Sequence, residues 1–88
     1  MNIKQYKDKV ASLGCIVCGS QPELHHPRTG AGTGRKNSDW LVVPLCGLHH
    51  RTGTSYLDAS AHGNPRDFHA KHGSDLELVA QVIERVSA

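Results

Sequence analysis

Apolar residues recur at helical spacing near the N-terminus of the chain. Intervals of three and four residues link Ile3, Tyr6, Val10 and Leu13. This period is typical of a helix with one buried face, and Gly14 stands where such a helix would end. The pattern predicts an amphipathic helix over residues 2–13, which covers a core or, alternatively, faces DNA or a docking partner.

The C-terminal segment carries the strongest helical pattern. Ser74 and Glu77 have the spacing of a capping box. The apolar stripe that follows comprises Leu76, Val79, Ala80, Val82, Ile83 and Val86. We predict a helix over residues 74–87 that packs on the core, and a dimer contact is the alternative use of its apolar face. A shorter helix is predicted to begin at Pro65 and to end at Gly73.

Two short stretches between these helices predict strands. Residues 23–27 are bounded by prolines, and residues 40–45 are apolar and rich in β-branched side chains. A glycine-rich basic loop is predicted over residues 28–38, and a helix is predicted to open within residues 46–51. The pattern as a whole predicts a single α+β domain over residues 1–88.

The composition indicates that a bound metal ion contributes to the stability of such a domain. The chain has 88 residues, of which 38% are hydrophobic, so its core is small. Three cysteines cannot all pair as disulfides, and no apolar run has the length of a membrane span or a signal sequence. Both observations predict a cytoplasmic protein with no membrane partner, in which cysteine with histidine indicates metal binding. Seven histidines strengthen that expectation.

Four residues have the spacing of a structural zinc site. Cys15-x-x-Cys18 and Cys46-x-x-His49 are two ligand pairs separated by 27 residues. A two-residue gap lets both side chains of a pair reach one ion, and two pairs complete the tetrahedral shell of structural Zn²⁺. Because the second pair lies where a predicted strand passes into a helix, we expect a treble-clef-like site. The alternative is a redox-active Cys-x-x-Cys pair beside an unrelated cysteine.

Two histidine pairs, His25-His26 and His49-His50, indicate a second site. Adjacent residues of a strand point to opposite faces, so His25 and His26 must have different tasks. Adjacent residues of a helix lie about 100° apart, so His49 can serve the zinc while His50 serves a separate site. A neutral histidine, with a reference pKa of about 6.5, can also accept a proton from water at physiological pH.

Charge is distributed unevenly along the chain, although the formal net charge is only +2. Residues 1–51 carry seven Lys/Arg and three Asp/Glu, whereas residues 52–88 carry three and five. The basic half also contains the cysteines and the paired histidines. A polyanion would therefore approach that half of the chain.

These motifs together resemble the HNH endonuclease family, whose ββα-metal fold is often built on a zinc-bound treble clef. The residues that carry the resemblance are Cys15-x-x-Cys18, Leu24-His25-His26-Pro27 and Val43-Pro44-Leu45-Cys46-x-x-His49-His50. The second and third motifs are similar to those of the phage and prophage group that includes the RecA-dependent recombination-enhancement nuclease. The resemblance covers about residues 13–73. It implies a metal-dependent DNA endonuclease or nickase of phage or prophage origin. The helices predicted at the two ends of the chain flank this region and are not part of the resemblance.

The resemblance also implies roles for individual residues. His26 corresponds to the catalytic histidine, which acts as general base. The middle asparagine of the HNH pattern has no clean match, and Asp39 takes its hydrogen-bonding position, with Asn37 as the alternative. The candidate ligands of a catalytic divalent ion are His25, His50 and His62. Because these ligands are imidazoles, transition metals are expected to bind as well as Mg²⁺ or Mn²⁺.

Candidate partners follow from the chemistry of phosphodiester hydrolysis and from the resemblance. Arg28, Lys36 and Arg51 are candidates for phosphate contacts, which position DNA without reading its sequence. A recombinase filament is a candidate second partner. A different class of protein, a non-catalytic zinc module that binds nucleic acid or protein, fits the zinc residues equally well but leaves the His25-His26 pair without a role. A zinc-binding redox sensor is disfavoured, because four-coordinate zinc suppresses the reactive thiolate that it needs.

Overall fold

The computed structural model of the protein describes residues 1–27 and 38–88. In this part of the chain, helices surround a two-stranded antiparallel sheet. The elements are α1 (Ile3–Ser12), β1 (Glu23–His25), β2 (Val43–Leu45), a π-helical turn (Leu48–Thr52), α2 (Pro65–His72) and α3 (Asp75–Ser87). The predicted α+β class is confirmed. Neither described stretch holds a helix with the length and apolar character of a membrane span.

The helix ends follow from local hydrogen bonds that the sequence encodes. At the start of α3, the Glu77 N–H donates to Ser74 Oγ and the Ser74 N–H donates to Glu77 Oε1, each over 3.1 Å. This is the predicted capping box. Helix α1 begins with the same arrangement, built from Asn2 and Gln5. Helix α2 has the predicted Pro65 at its first position, where a missing N–H is tolerated.

Helices α1 and α3 both pack against the sheet and bury a small core. Its fully buried large side chains include Val10, Val42, Val43, Leu45, Phe68, Leu78 and Val82. The prediction that α3 packs on the core is confirmed for Val79, Val82 and Val86. It is wrong for Leu76, Ala80 and Ile83, which are all exposed. The apolar stripe is wider than the surface that the sheet offers, so its edges remain in solvent.

The sheet is shorter than the apolar run predicts. Strand β1 has three residues, and its register pairs Glu23 with Leu45 and His25 with Val43. The strand predicted over residues 40–45 therefore has partners only from Val43 onwards. Trp40 precedes β2 and is 44% exposed, with its ring centroid 5.0 Å from that of Tyr6 on α1.

The helix predicted within residues 46–51 is a five-residue π-helical turn instead. The Gly53 N–H closes the turn by donating to the carbonyl oxygen of Leu48, five residues earlier, over 2.9 Å. Such widened turns are rare and often occur at functional sites. The turn carries the two adjacent histidines, His49 and His50, directly after the second strand.

Candidate metal centre and its flanking histidine

The four residues predicted to bind zinc form one cluster. The cluster consists of Cys15, Cys18, Cys46 and His49, whose ligand atoms all lie within 4.8 Å of one another. The Cys18 and Cys46 sulfurs are 3.7 Å apart, and His49 Nδ1 lies 3.2 Å from Cys46 Sγ. Zn²⁺ bound tetrahedrally at about 2.3 Å from each thiolate would place two sulfurs about 3.8 Å apart. The donor set and its spacing therefore fit Zn²⁺.

Backbone hydrogen bonds hold the first cysteine pair in a tight knuckle. The Gly19 N–H donates to the Cys15 carbonyl over 2.7 Å, and the Cys15 N–H donates to the Ser20 carbonyl over 2.8 Å. Gly19 has a φ of +79°, which suits glycine. The Ile16 N–H donates to the Pro44 carbonyl over 2.9 Å, so the knuckle is attached to β2 just before the second ligand pair.

A second cluster consists of the three histidines predicted to bind a divalent ion. One nitrogen each from His25, His50 and His62 lies within 4.8 Å of the others. The ring centroids are 4.8 to 5.1 Å apart. These side chains come from β1, from the π-helical turn and from the irregular segment that follows it. Three imidazoles without a carboxylate are a ligand set that suits Zn²⁺, Ni²⁺ or Cu²⁺ better than Mg²⁺.

Hydrogen bonds join the two ends of the segment between His50 and His62, and this closure of the segment brings His62 to the histidine cluster. The Ser60 hydroxyl and the Ser60 N–H both donate to the Gly53 carbonyl, over 2.7 and 3.0 Å. The His62 N–H then donates to the His50 carbonyl over 3.0 Å. In the sequence, eleven residues separate His62 from His50, so spacing alone does not indicate that the two side chains share a site.

Gly53 is a position where we expect a large loss of stability on substitution. A Cβ atom there would lie 1.6 Å from the Asp58 carbonyl oxygen, so the closed segment would have to open. Gly53→Ala should destabilise the fold by about 2–4 kcal/mol and displace His62. Gly47→Ala is the matched control, because its Cβ would meet only Arg51 Nη2 at 3.8 Å. Urea unfolding should separate the two variants, and equal midpoints would contradict this account of the closure.

Two carboxylates that the sequence analysis missed lie behind the histidine cluster. Glu23 Oε1 is 2.6 Å from His50 Nδ1, and Asp75 Oδ1 is 3.7 Å from His25 Nε2. Metal-binding histidines commonly place their other ring nitrogen against a carboxylate. The sequence held a signal for Glu23, since it lies two residues before His25 and so shares its face of β1. Asp75 begins α3, and nothing in its local sequence indicates the contact.

The His25 imidazole is buried, with 4% of its surface exposed. Burial is the main cause that lowers the pKa of His25 to about 4, and the nearby His50 lowers it further. The ring is therefore neutral at physiological pH, as a metal ligand must be. Among the described residues, its Nδ1 atom is buried without a hydrogen-bond partner. A buried, neutral and unpartnered nitrogen beside two further imidazoles fits a metal-ligand role.

His26 lies next to this cluster in sequence but faces a different partner. Its Nε2 atom is 2.7 Å from Asp39 Oδ1, and its side chain is 19% exposed. Lys7 Nζ from α1 lies 4.0 Å from the other Asp39 oxygen. With Nε2–H donating to Asp39, the lone pair of His26 is on Nδ1. The structure thus pairs the predicted general base with the predicted orienting residue, and Asn37 lies outside the described residues.

Of the three residues predicted to contact phosphate, the structure describes only Arg51. The Arg51 guanidinium makes a two-pronged ion pair with Glu23, with Nε and Nη2 each 2.8 Å from a carboxylate oxygen. The side chain of Arg51 is still 57% exposed, so its outer edge remains accessible. Arg28 and Lys36 lie outside the described residues.

The fold and the site define a small α+β domain with a Cys3His cluster that could hold a zinc ion. Over residues 1–88 the chain matches a family described as "Protein of unknown function (DUF968)", and it belongs to that family. It is 32% identical over 88 residues to "Uncharacterized protein YdfU" of Escherichia coli (strain K12). The match covers 97% of this chain and 23% of that relative, so the chain spans less than a quarter of the relative's length.

Proposed function

We propose that this domain is a metal-dependent DNA endonuclease or nickase of the HNH type. The observation that carries the proposal is the arrangement of two adjacent residues at the end of β1. His25 joins a cluster of three imidazoles, and His26 forms a separate pair with Asp39. A metal-ligand cluster and an oriented base side by side are the two parts that metal-assisted phosphodiester hydrolysis needs.

The zinc cluster and the histidine cluster would have different tasks. All four donors of the first cluster are protein side chains, so a zinc ion there would be structural. The second cluster offers only His25, His50 and His62, which leaves coordination positions for a substrate oxygen or water. A divalent ion bound there would supply charge stabilisation for the phosphate and the leaving oxygen.

The His26–Asp39 pair would activate the water nucleophile. Asp39 holds the His26 Nε2–H, so Nδ1 is the atom that accepts a proton. As water attacks phosphorus, the new P–O bond forms, the bond to the leaving 3′-oxygen breaks, and His26 Nδ1 takes the proton of the water. The developing positive charge on the imidazole is stabilised by the Asp39 carboxylate, and the leaving oxygen takes a proton from solvent.

Charge supports DNA as the substrate. The half of the chain that holds the two histidine pairs carries seven Lys/Arg and three Asp/Glu. Arg51 is adjacent to His50 and is held in one orientation by Glu23, and its side chain is 57% exposed. A fixed guanidinium at the edge of the site could bind a phosphate of the nucleic-acid backbone.

The test is nicking of supercoiled plasmid DNA by the zinc-loaded protein. Mg²⁺, Mn²⁺, Co²⁺ and Ni²⁺ are added singly, and zinc content is measured on the same samples. We expect cleavage only when a second divalent ion is added, with one zinc per chain retained throughout. Relaxed circles without linear DNA would identify a nickase.

A zinc-loaded protein that binds DNA but cleaves none with any of these ions would contradict the proposal. A parallel set of reactions contains a recombinase–DNA filament, the second partner implied by the HNH resemblance. These reactions test whether the enzyme needs that partner for cleavage. Lack of cleavage in both sets would favour the non-catalytic zinc module.

A further inference from the structure

We propose that Glu23 is a positioning residue for the three-histidine site, which it controls by fixing the tautomer of His50. This inference rests on the proposed function for the identity of the site as a metal centre. It adds a residue that none of the sequence motifs contains. Glu23 would contact neither the ion nor the DNA, and would act through the imidazole of His50 and the guanidinium of Arg51.

The geometry around His50 is specific. Glu23 Oε1 lies 2.6 Å from His50 Nδ1, a short distance typical of a hydrogen bond to a charged acceptor. A carboxylate can only accept, so Nδ1 must carry the hydrogen, and the lone pair is left on Nε2. That is the nitrogen available to the ion that His25 and His62 would share.

The Glu23 carboxylate is itself held in place from the other side. Arg51 Nε and Nη2 donate to its two oxygens, each over 2.8 Å. One carboxylate thus connects β1 to two consecutive residues of the π-helical turn. Asp75 is a weaker candidate for the same role toward His25, because the distance of 3.7 Å between His25 Nε2 and Asp75 Oδ1 is too long for a hydrogen bond.

The first experiment measures Co²⁺ affinity of the zinc-loaded protein by calorimetry, with zinc retention checked by elemental analysis. Glu23→Gln should weaken Co²⁺ binding about tenfold or more, since loss of such a carboxylate commonly reduces metal affinity 10–100-fold. Arg51→Gln removes the ion pair but leaves the carboxylate on His50, so we expect a loss of less than about threefold. Glu84→Gln makes the same chemical change on an exposed part of α3 and should bind like wild type.

The second experiment determines the His50 tautomer directly, without added metal. Nitrogen-15 NMR at about pH 8.5, above the histidine reference pKa of about 6.5, shows which ring nitrogen carries the hydrogen. We expect Nδ1–H in the wild type and a shift toward Nε2–H in Glu23→Gln, whose amide can donate to Nδ1. If Glu23 had only a structural role, Glu23→Gln would not change the tautomer signal of His50 in a protein whose zinc content and unfolding are unchanged.

Two results would overturn the proposal. One is wild-type Co²⁺ affinity in Glu23→Gln, and the other is an Nε2–H tautomer of His50 in the wild-type protein. Failure of the nuclease proposal gives a different pattern: Co²⁺ binds in a Glu23-dependent manner, yet no ion supports DNA cleavage. That pattern would support the role of Glu23 at a metal site while removing the assigned reaction.

Discussion

Cys15→Ala should leave the domain unfolded and free of zinc. The Cys15 side chain is 3% exposed, and its sulfur lies 3.7 Å from His49 Nδ1. Structural zinc contributes on the order of 10 kcal/mol to small zinc domains, whereas a whole domain is stable by only about 5–15 kcal/mol. The small core buried by α1 and α3 cannot replace that contribution. Circular dichroism and elemental analysis of the purified variant measure the two effects.

The control for this variant is Ser20→Ala. The Ser20 hydroxyl lies 3.3 Å from Cys18 Sγ but is not one of the four zinc donors. Ser20→Ala should therefore retain zinc and the folded spectrum, with a loss of about 1 kcal/mol. If Cys15→Ala were folded and as resistant to urea as the wild type, zinc would not be what stabilises this domain.

His26→Ala should abolish DNA cleavage while leaving the fold and the zinc in place. General-base catalysis contributes about 10²–10⁴-fold to such reactions, so plasmid nicking should fall by at least that range. The His26 side chain is partly exposed and belongs to neither metal cluster, so its loss should change stability by less than about 1 kcal/mol. Cleavage rates, zinc content and urea unfolding are measured on the same preparation.

Asp39→Asn separates orientation from proton transfer. An asparagine amide can donate to His26 Nε2, which would move the ring hydrogen to Nδ1 and block the atom that accepts the proton. We expect cleavage to fall strongly in Asp39→Asn, with His26 still in place. Asp58→Asn is the matched control, on the exposed segment after the π-helical turn. Normal cleavage by His26→Ala would mean that another group is the base.

The Cys3His cluster could be predicted from the sequence because each of its ligand pairs is defined by residues close together in the chain. Each ligand pair needs only a two-residue gap and a turn, and the Cys15 knuckle supplies both within six residues. The different contacts of His25 and His26 follow equally directly from the alternation of side chains along a strand. The helix ends at Pro65 and Ser74 were predictable for the same reason, since caps depend on neighbours three residues apart.

The parts that could not be predicted depend on contacts between distant segments. The approach of His62 requires the Gly53–Ser60 closure, which no spacing rule encodes. Asp75 reaches His25 only because α3 packs against the sheet. At the π-helical turn the sequence predicts only a helix. The residues that favour a helix do not determine which backbone hydrogen bond closes its last turn.

His49 and His50 belong to different clusters although one peptide bond joins them. An ion that fixes His49 also fixes the backbone that presents His50, so the entropy of ordering the second set of ligands is largely lost already. Such coupling between two sites is reciprocal by thermodynamic necessity. An ion held by His25, His50 and His62 would therefore strengthen the binding of zinc to the Cys3His cluster by the same free energy by which zinc strengthens the binding of that ion.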